Sequence, residues 1–158
     1  MEKYFIREQK EYGCSIYSVI NATTGNRVNY FPSYNLAKEF INHQDKKDIL
    51  KRLSNAVCGS ERDIFTEEEL TRFANYVITN TDFTDGEDIA NWLVVYARDT
   101  KKDCRRCSVC GKLFREGYVE SMGNAYYCSD ECLHTRYTNE EWKRECEEND
   151  QSYYTEFY

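Results

Sequence analysis

An α+β fold is what this chain of 158 residues predicts, and three observations carry the prediction. An alternating run of β-branched and aromatic residues turns back on itself around Gly25. Helical periodicity then repeats as far as Ala97. Two cysteine pairs follow in the last third. The order expected is an N-terminal β-hairpin with helices, then a small C-terminal module held by its cysteines.

The first strand of the hairpin is read from Tyr12 to Asn21, with Cys14, Ile16, Ser18 and Ile20 on one face. Asn21 to Asn26 is a turn cluster in which Gly25 suits a positive φ, and Arg27 to Phe31 is the returning strand. Tyr4-Phe5-Ile6 is a candidate third strand. Pro32 stops the sheet, and Ser33 caps a helix with Leu36, Ala37, Phe40 and Ile41 on its apolar face. Asp45 opens a second helix, carrying Ile49, Leu50, Leu53 and Val57 and closed by Gly59. Thr66 and Glu69 form a capping box ahead of Leu70, Phe73, Ala74, Val77 and Ile78. Thr84 or Asp85 opens the last of these helices, whose stripe is Ile89, Trp92, Leu93, Tyr96 and Ala97. Trp92 and Tyr96 are read as core. No Gly-rich phosphate loop, G-x-S-x-G or H-E-x-x-H occurs, so no catalytic residue is nominated and the chain is read as not an enzyme.

The net charge of −7 is unevenly distributed. Residues 63–100 hold two Lys/Arg against nine Asp/Glu, and 139–158 hold two against seven, whereas 101–116 hold six against two. Broad attraction to nucleic-acid phosphate is disfavoured by this balance, although a local basic face remains. Nothing approaches the ~20 apolar residues that a membrane span needs. Met1 to Gln9 has no continuous apolar core, which predicts a cytoplasmic protein, in the host-cell cytoplasm if it is phage-encoded. Thiols in that reducing interior stay free or bind metal rather than pair, the alternative for the eight cysteines being four disulfides.

Cys107-x2-Cys110 and Cys128-x3-Cys132, with seventeen residues between the pairs, have the ligand count and spacing of one structural zinc site. Gly111 lets the first pair turn so that backbone N–H groups face the sulfurs. Phe114, Tyr118, Val119, Tyr126 and Tyr127, around Gly123-Asn124, read as a hairpin. Cys128 ends its second strand, and Ser129 starts a helix that carries Cys132. Four cysteines close the coordination shell, leaving no open position for a catalytic zinc.

Cys107-x2-Cys110-Gly111, Tyr126-Tyr127-Cys128-Ser129 and Cys132 together resemble treble-clef zinc fingers of the TRASH, FCS and YHS type. The resemblance spans residues 107–132 and implies a treble-clef-like module. The chain's small size and acidic, Tyr-rich tail also resemble small phage and mobile-element proteins. That likeness implies an inhibitor of a host nucleic-acid-handling defence protein, of anti-CRISPR or anti-restriction type. The domains are then 1–100, an α+β domain; 101–147, the zinc module with its following helix; and 148–158, the tail.

Several residues keep more than one reading. Cys104 overlaps Cys107 in a second C-x2-C, and His134 or Cys146 offers a substitute for Cys132. Cys14 and Cys58 are read as buried small hydrophobes, with Cys14 and His43 a remote nucleophile–base alternative. Lys101, Lys102, Arg105, Arg106, Lys112 and Arg115 either offset the charge of about −2 on a four-thiolate zinc or contact nucleic-acid phosphate. Thr138 and Glu141 cap a helix with Trp142 and Cys146. The aromatic tail, Tyr153 to Tyr158, docks on its own protein, stays disordered or binds a partner. The leading functional expectation is a non-enzymatic interaction protein that meets a protein partner, itself a basic nucleic-acid-binding protein, through acidic and aromatic surfaces. The alternative is a nucleic-acid-binding zinc-finger regulator using the basic 101–115 segment.

Overall fold

The computed structural model describes residues 3–11, 14–81, 85–100 and 102–158. Its contacts divide into a first unit ending at Asp48 and a second from Ile49 to Tyr158.

In the first unit, β1 (Tyr4–Glu11), β2 (Cys14–Asn21) and β3 (Arg27–Phe31) form an antiparallel sheet in that order. The candidate third strand is therefore real and long. Tyr12, the expected strand start, lies outside the described residues. The Asn21 side-chain oxygen accepts from the N–H groups of Thr23 and Thr24, both at 2.9 Å, and Gly25 has φ +70°. This Asx geometry is how a short polar side chain nucleates the turn. The register slips between Val19 and Ile20, and Ser18, Val19 and Ile20 are all buried in succession. The alternating face expected of Cys14, Ile16, Ser18 and Ile20 is thus broken, and Cys14 is exposed.

One helix, α1 (Tyr34–Ala56), replaces the two expected. Asn42-His43-Gln44 contains neither Gly nor Pro, so nothing breaks the hydrogen-bond ladder before Asp45. Asp45 sits inside the helix, half-buried, and burial raises its carboxyl pKa. The Ser33 hydroxyl accepts from Leu36 N at 3.4 Å, as the cap required.

The second unit is built on the end of α1, with α2 (Glu61–Ile64), α3 (Glu67–Asn80) and α4 (Gly86–Asp99). Helix α1 closes where Cys58 and Gly59 take φ +55° and +78°, and Gly59 N reaches Ser54 O at 2.8 Å. The capping box of Thr66 and Glu69 is complete. Asp85 caps α4, its carboxylate accepting from Glu87 N at 2.7 Å, while Thr84 lies outside the described residues. Leu53, Val57, Phe73, Val77, Ile89, Leu93 and Ala97 form the core, with Trp92 and Tyr96 partly buried against it. Glycine is required at position 86, because a Cβ there would stand 2.9 Å from the Arg52 carbonyl oxygen. Among the described residues no helix is long and apolar enough to cross a membrane.

The cysteine module grows directly out of this core. Cys104 and Leu113 belong to the helical cluster, and Leu113 N donates to the buried Ser60 hydroxyl at 2.7 Å. Two short strands pair, β4 (Arg105–Arg106) with β5 (Leu113–Phe114). A second sheet has the order β7-β6-β8, from β6 (Glu116–Glu120), β7 (Ala125–Tyr127) and β8 (Tyr153–Glu156). Helices α5 (Asp130–Leu133) and α6 (Asn139–Glu148) follow the hairpin, and Thr138 with Glu141 caps α6 in a second complete box. Knuckle, hairpin and helix therefore follow one another as the cysteine spacing predicts. The aromatic tail docks on its own protein: β8 pairs along β6 with Tyr118 opposite Tyr154, and Phe157 is buried.

Candidate metal centre

Local chemistry places each of the four cysteines. Cys107 follows β4, where its N–H donates to Lys112 O at 2.8 Å, while Gly111 N returns to Cys107 O at 3.0 Å. Gly111 has φ +75°, the left-handed conformation that the turn needs. The knuckle is stitched to β7, since Ser108 N donates to Tyr126 O at 2.8 Å and Tyr126 N to the Ser108 hydroxyl at 3.0 Å. Cys128 directly follows β7. Ser129 caps α5, and its hydroxyl accepts from Cys132 N at 3.4 Å, which fixes Cys132 on the first turn. The three residues between Cys128 and Cys132 are accommodated there.

The four sulfurs of Cys107, Cys110, Cys128 and Cys132 lie within 4.8 Å of one another. Cys110 Sγ is 3.5 Å from Cys128 Sγ, and Cys128 Sγ is 3.7 Å from Cys132 Sγ. These separations far exceed the ~2.05 Å of a disulfide. They match the S···S distance of about 3.8 Å that four Zn–S bonds of ~2.3 Å impose at tetrahedral angles. These four residues could hold one metal ion, and the donor set suits zinc.

Electrostatics at the sulfurs fit the same role. Burial works to raise the Cys107 thiol, but the backbone N–H groups of Cys110, Val109 and Cys128 hold it down to about 7. Burial raises Cys128 and Cys132, and hydrogen bonds from neighbouring thiols raise Cys128 further. A metal held by these sulfurs would require them as thiolates, so its binding would depend on pH.

The competing residues stay out of the cluster. Cys104 is fully buried in the helical core, where desolvation pushes its thiol up to about 11. His134 is exposed, with Nδ1 2.9 Å from Tyr137 O, and Cys146 lies half-buried on α6. Cys58 is exposed rather than buried, its thiol donating to Cys110 O at 3.3 Å, because it occupies the left-handed turn that ends α1. Cys14 and His43 are both exposed, and among the described residues no hydrogen bond joins them.

The basic approach has internal partners. Lys102 Nζ lies 2.7 Å from Glu69 Oε2, and this hydrogen bond holds the Glu69 carboxyl down to about 2. Arg105 pairs with Asp103 and stacks over Phe157 at 4.5 Å. Arg106 donates to Gly111 O at 3.2 Å, to Ala56 O at 2.9 Å and to both oxygens of Glu87. Lys112 and Arg115 are exposed, and Lys101 lies outside the described residues. Sequence reasoning missed Glu69, Glu87 and Asp103 as partners; only Asp103, two residues from Arg105, carried a local signal.

No protein-family model, curated protein or solved structure matches the chain.

Proposed function

We propose that the chain is a non-enzymatic interaction protein, stapled by one structural zinc ion on Cys107, Cys110, Cys128 and Cys132, that binds a protein partner through acidic and aromatic surfaces. The observation that carries this reading is the internal engagement of Lys102, Arg105 and Arg106. Cations already held by carboxylates and backbone carbonyls are poor phosphate ligands, since each must first be released. On α3 and α6 the exposed acids Glu67, Glu68, Glu140, Glu141, Glu147 and Glu148 outnumber the exposed cations Arg72, Lys143 and Arg144, with Arg72 paired to Glu68 and Lys143 to Glu147. A partner that handles nucleic acid, and so carries a basic groove, fits such a surface. Inhibition by filling that groove is the finer form of the proposal, in keeping with the resemblance to phage and mobile-element proteins.

Affinity capture from the native host, scored for both protein and nucleic acid, tests the reading. A basic protein should be retained, with retention falling as salt rises and lost when Glu67, Glu68, Glu147 and Glu148 are changed to lysine. Recovery of nucleic acid alone, or binding indifferent to salt and to these changes, would overturn it. Glu87 is left intact in this set because it holds Arg106.

A further inference from the structure

We propose that the hollow beside the metal centre, walled by Tyr118 and Tyr154 and floored by Asp130 and Glu131, receives a cationic side chain, lysine or arginine, of the protein partner. The inference deepens the partner reading above and rests on it.

The hollow measures about 520 Å³ and is lined by Tyr118, Cys128, Ser129, Asp130, Glu131 and Tyr154. Three separate segments build it: Tyr118 stands on β6, Asp130 and Glu131 on the first turn of α5, and Tyr154 on β8. The two rings pack against each other. Tyr118 and Tyr154 meet edge to face with centroids 4.9 Å apart, and Trp142 braces Tyr118 at 5.7 Å. The Tyr118 hydroxyl donates to Asp130 Oδ1, so that carboxylate is oriented while its other oxygen has no hydrogen-bond partner among the described residues.

Charge decides what fits. Glu69, Glu87, Asp103 and Glu120 each hold an internal Lys or Arg, whereas neither Asp130 nor Glu131 forms an ion pair among the described residues. With zinc in place, the four thiolates behind Cys128 add a charge of about −2. Two carboxylates and a negative metal centre repel an anion and leave a neutral group without compensation. The aromatic walls favour a cation that brings apolar methylenes with it over a bare metal ion, because rings contribute cation–π attraction and cover the stem while offering no oxygen ligands. A lysine or arginine side chain meets both conditions.

The test uses the full-length, zinc-loaded protein, ¹⁵N-labelled and titrated with acetyl-Gly-Lys-Gly-amide, its arginine counterpart and its acetyl-lysine counterpart. Either cationic peptide should produce saturable shifts centred on the amides of Tyr118, Asp130, Glu131 and Tyr154. Binding should weaken by about tenfold with acetyl-lysine, and as much in the Asp130→Asn/Glu131→Gln double variant. Tyr154→Leu, which keeps bulk but removes the π face, should weaken binding about threefold, with α3 and α4 amides unmoved as the check on folding. Equal binding of the acetyl-lysine peptide, shifts centred elsewhere, or an unaffected double variant would each overturn the proposal. Partner capture that responds to the α3 and α6 charge reversals but not to the Asp130/Glu131 variant leaves the partner reading standing and removes this subsite alone.

Discussion

Arg106 ties Glu87, at the start of α4, to the end of α1: its Nη2 donates to Glu87 Oε1 at 2.8 Å and to the Ala56 carbonyl at 2.9 Å. Arg106 is also the residue immediately before the first metal-site cysteine, so one guanidinium joins the knuckle to the helical core. Arg106→Met should destabilise the protein by about 1–3 kcal/mol, because a partly buried carbonyl loses a charged donor. Glu87→Gln should cost less than about 1 kcal/mol, since that carboxylate is largely exposed and screened by solvent. Urea denaturation of zinc-loaded protein measures both. Zinc content should stay unchanged in each variant.

Metal analysis should return one zinc per chain, and Cys128→Ser should abolish it. Structural zinc contributes on the order of 10 kcal/mol to modules of this kind. Because Cys104 and Leu113 pack in the helical cluster, chelation should loosen α3 and α4 together with the knuckle. Near-UV circular dichroism and amide exchange during chelator addition would register this. A module that melted while the helices kept full protection would contradict the shared core.

Cys104→Ser separates the overlapping cysteine from the site. Zinc content should remain one per chain, while stability falls by about 1–3 kcal/mol as a hydroxyl replaces a thiol among apolar side chains. Zinc analysis beside a thermal melt distinguishes the two effects.

Gly86→Ala should be destabilising even though alanine is the better helix former. The new Cβ would press on the Arg52 carbonyl oxygen at 2.9 Å and on Ala56 Cβ at 3.3 Å. Overpacking of backbone costs about 1–3 kcal/mol, and at the first helical position little propensity is gained to set against it. A urea midpoint below that of the wild type is the expected result.

The Lys102–Glu69 pair predicts a pH dependence of definite sign. Glu69 titrates lower in the folded chain, at about 2, than in the unfolded one, because Lys102 and Thr66 hydrogen-bond its charged form. Its stabilising contribution is therefore present above the ordinary glutamate value of about 4.3 and is lost as pH falls towards the folded value. The gap in melting temperature between wild type and Lys102→Met should be steady above about pH 5 and close below it. A gap that widened on acidification would reverse the sign.

Much of this molecule was legible where the signal is local. Capping boxes at Thr66 and Thr138 were readable because both partners lie within one turn. The cysteine spacing told which sulfurs converge, since a knuckle and a helix start leave little freedom between them. Other readings failed for equally physical reasons. Asp45 read as the start of a second helix, yet without a Gly or Pro before it the first helix simply continues. Cys14 and Cys58 looked buried by residue type, but a broken strand alternation and a left-handed turn expose them.

By itself, then, the sequence determined the α+β class, the helix caps and the cysteine quartet, because each depends on contacts within a few residues or on a spacing that chemistry restricts. Tertiary structure alone decided where the cations go. Arg106 meets Glu87 across nineteen positions and Lys102 meets Glu69 across thirty-three, pairings that no local pattern announces. It also decided that the tail becomes β8 and brings Tyr154 against Tyr118, because an edge strand takes whichever partner the fold carries to it.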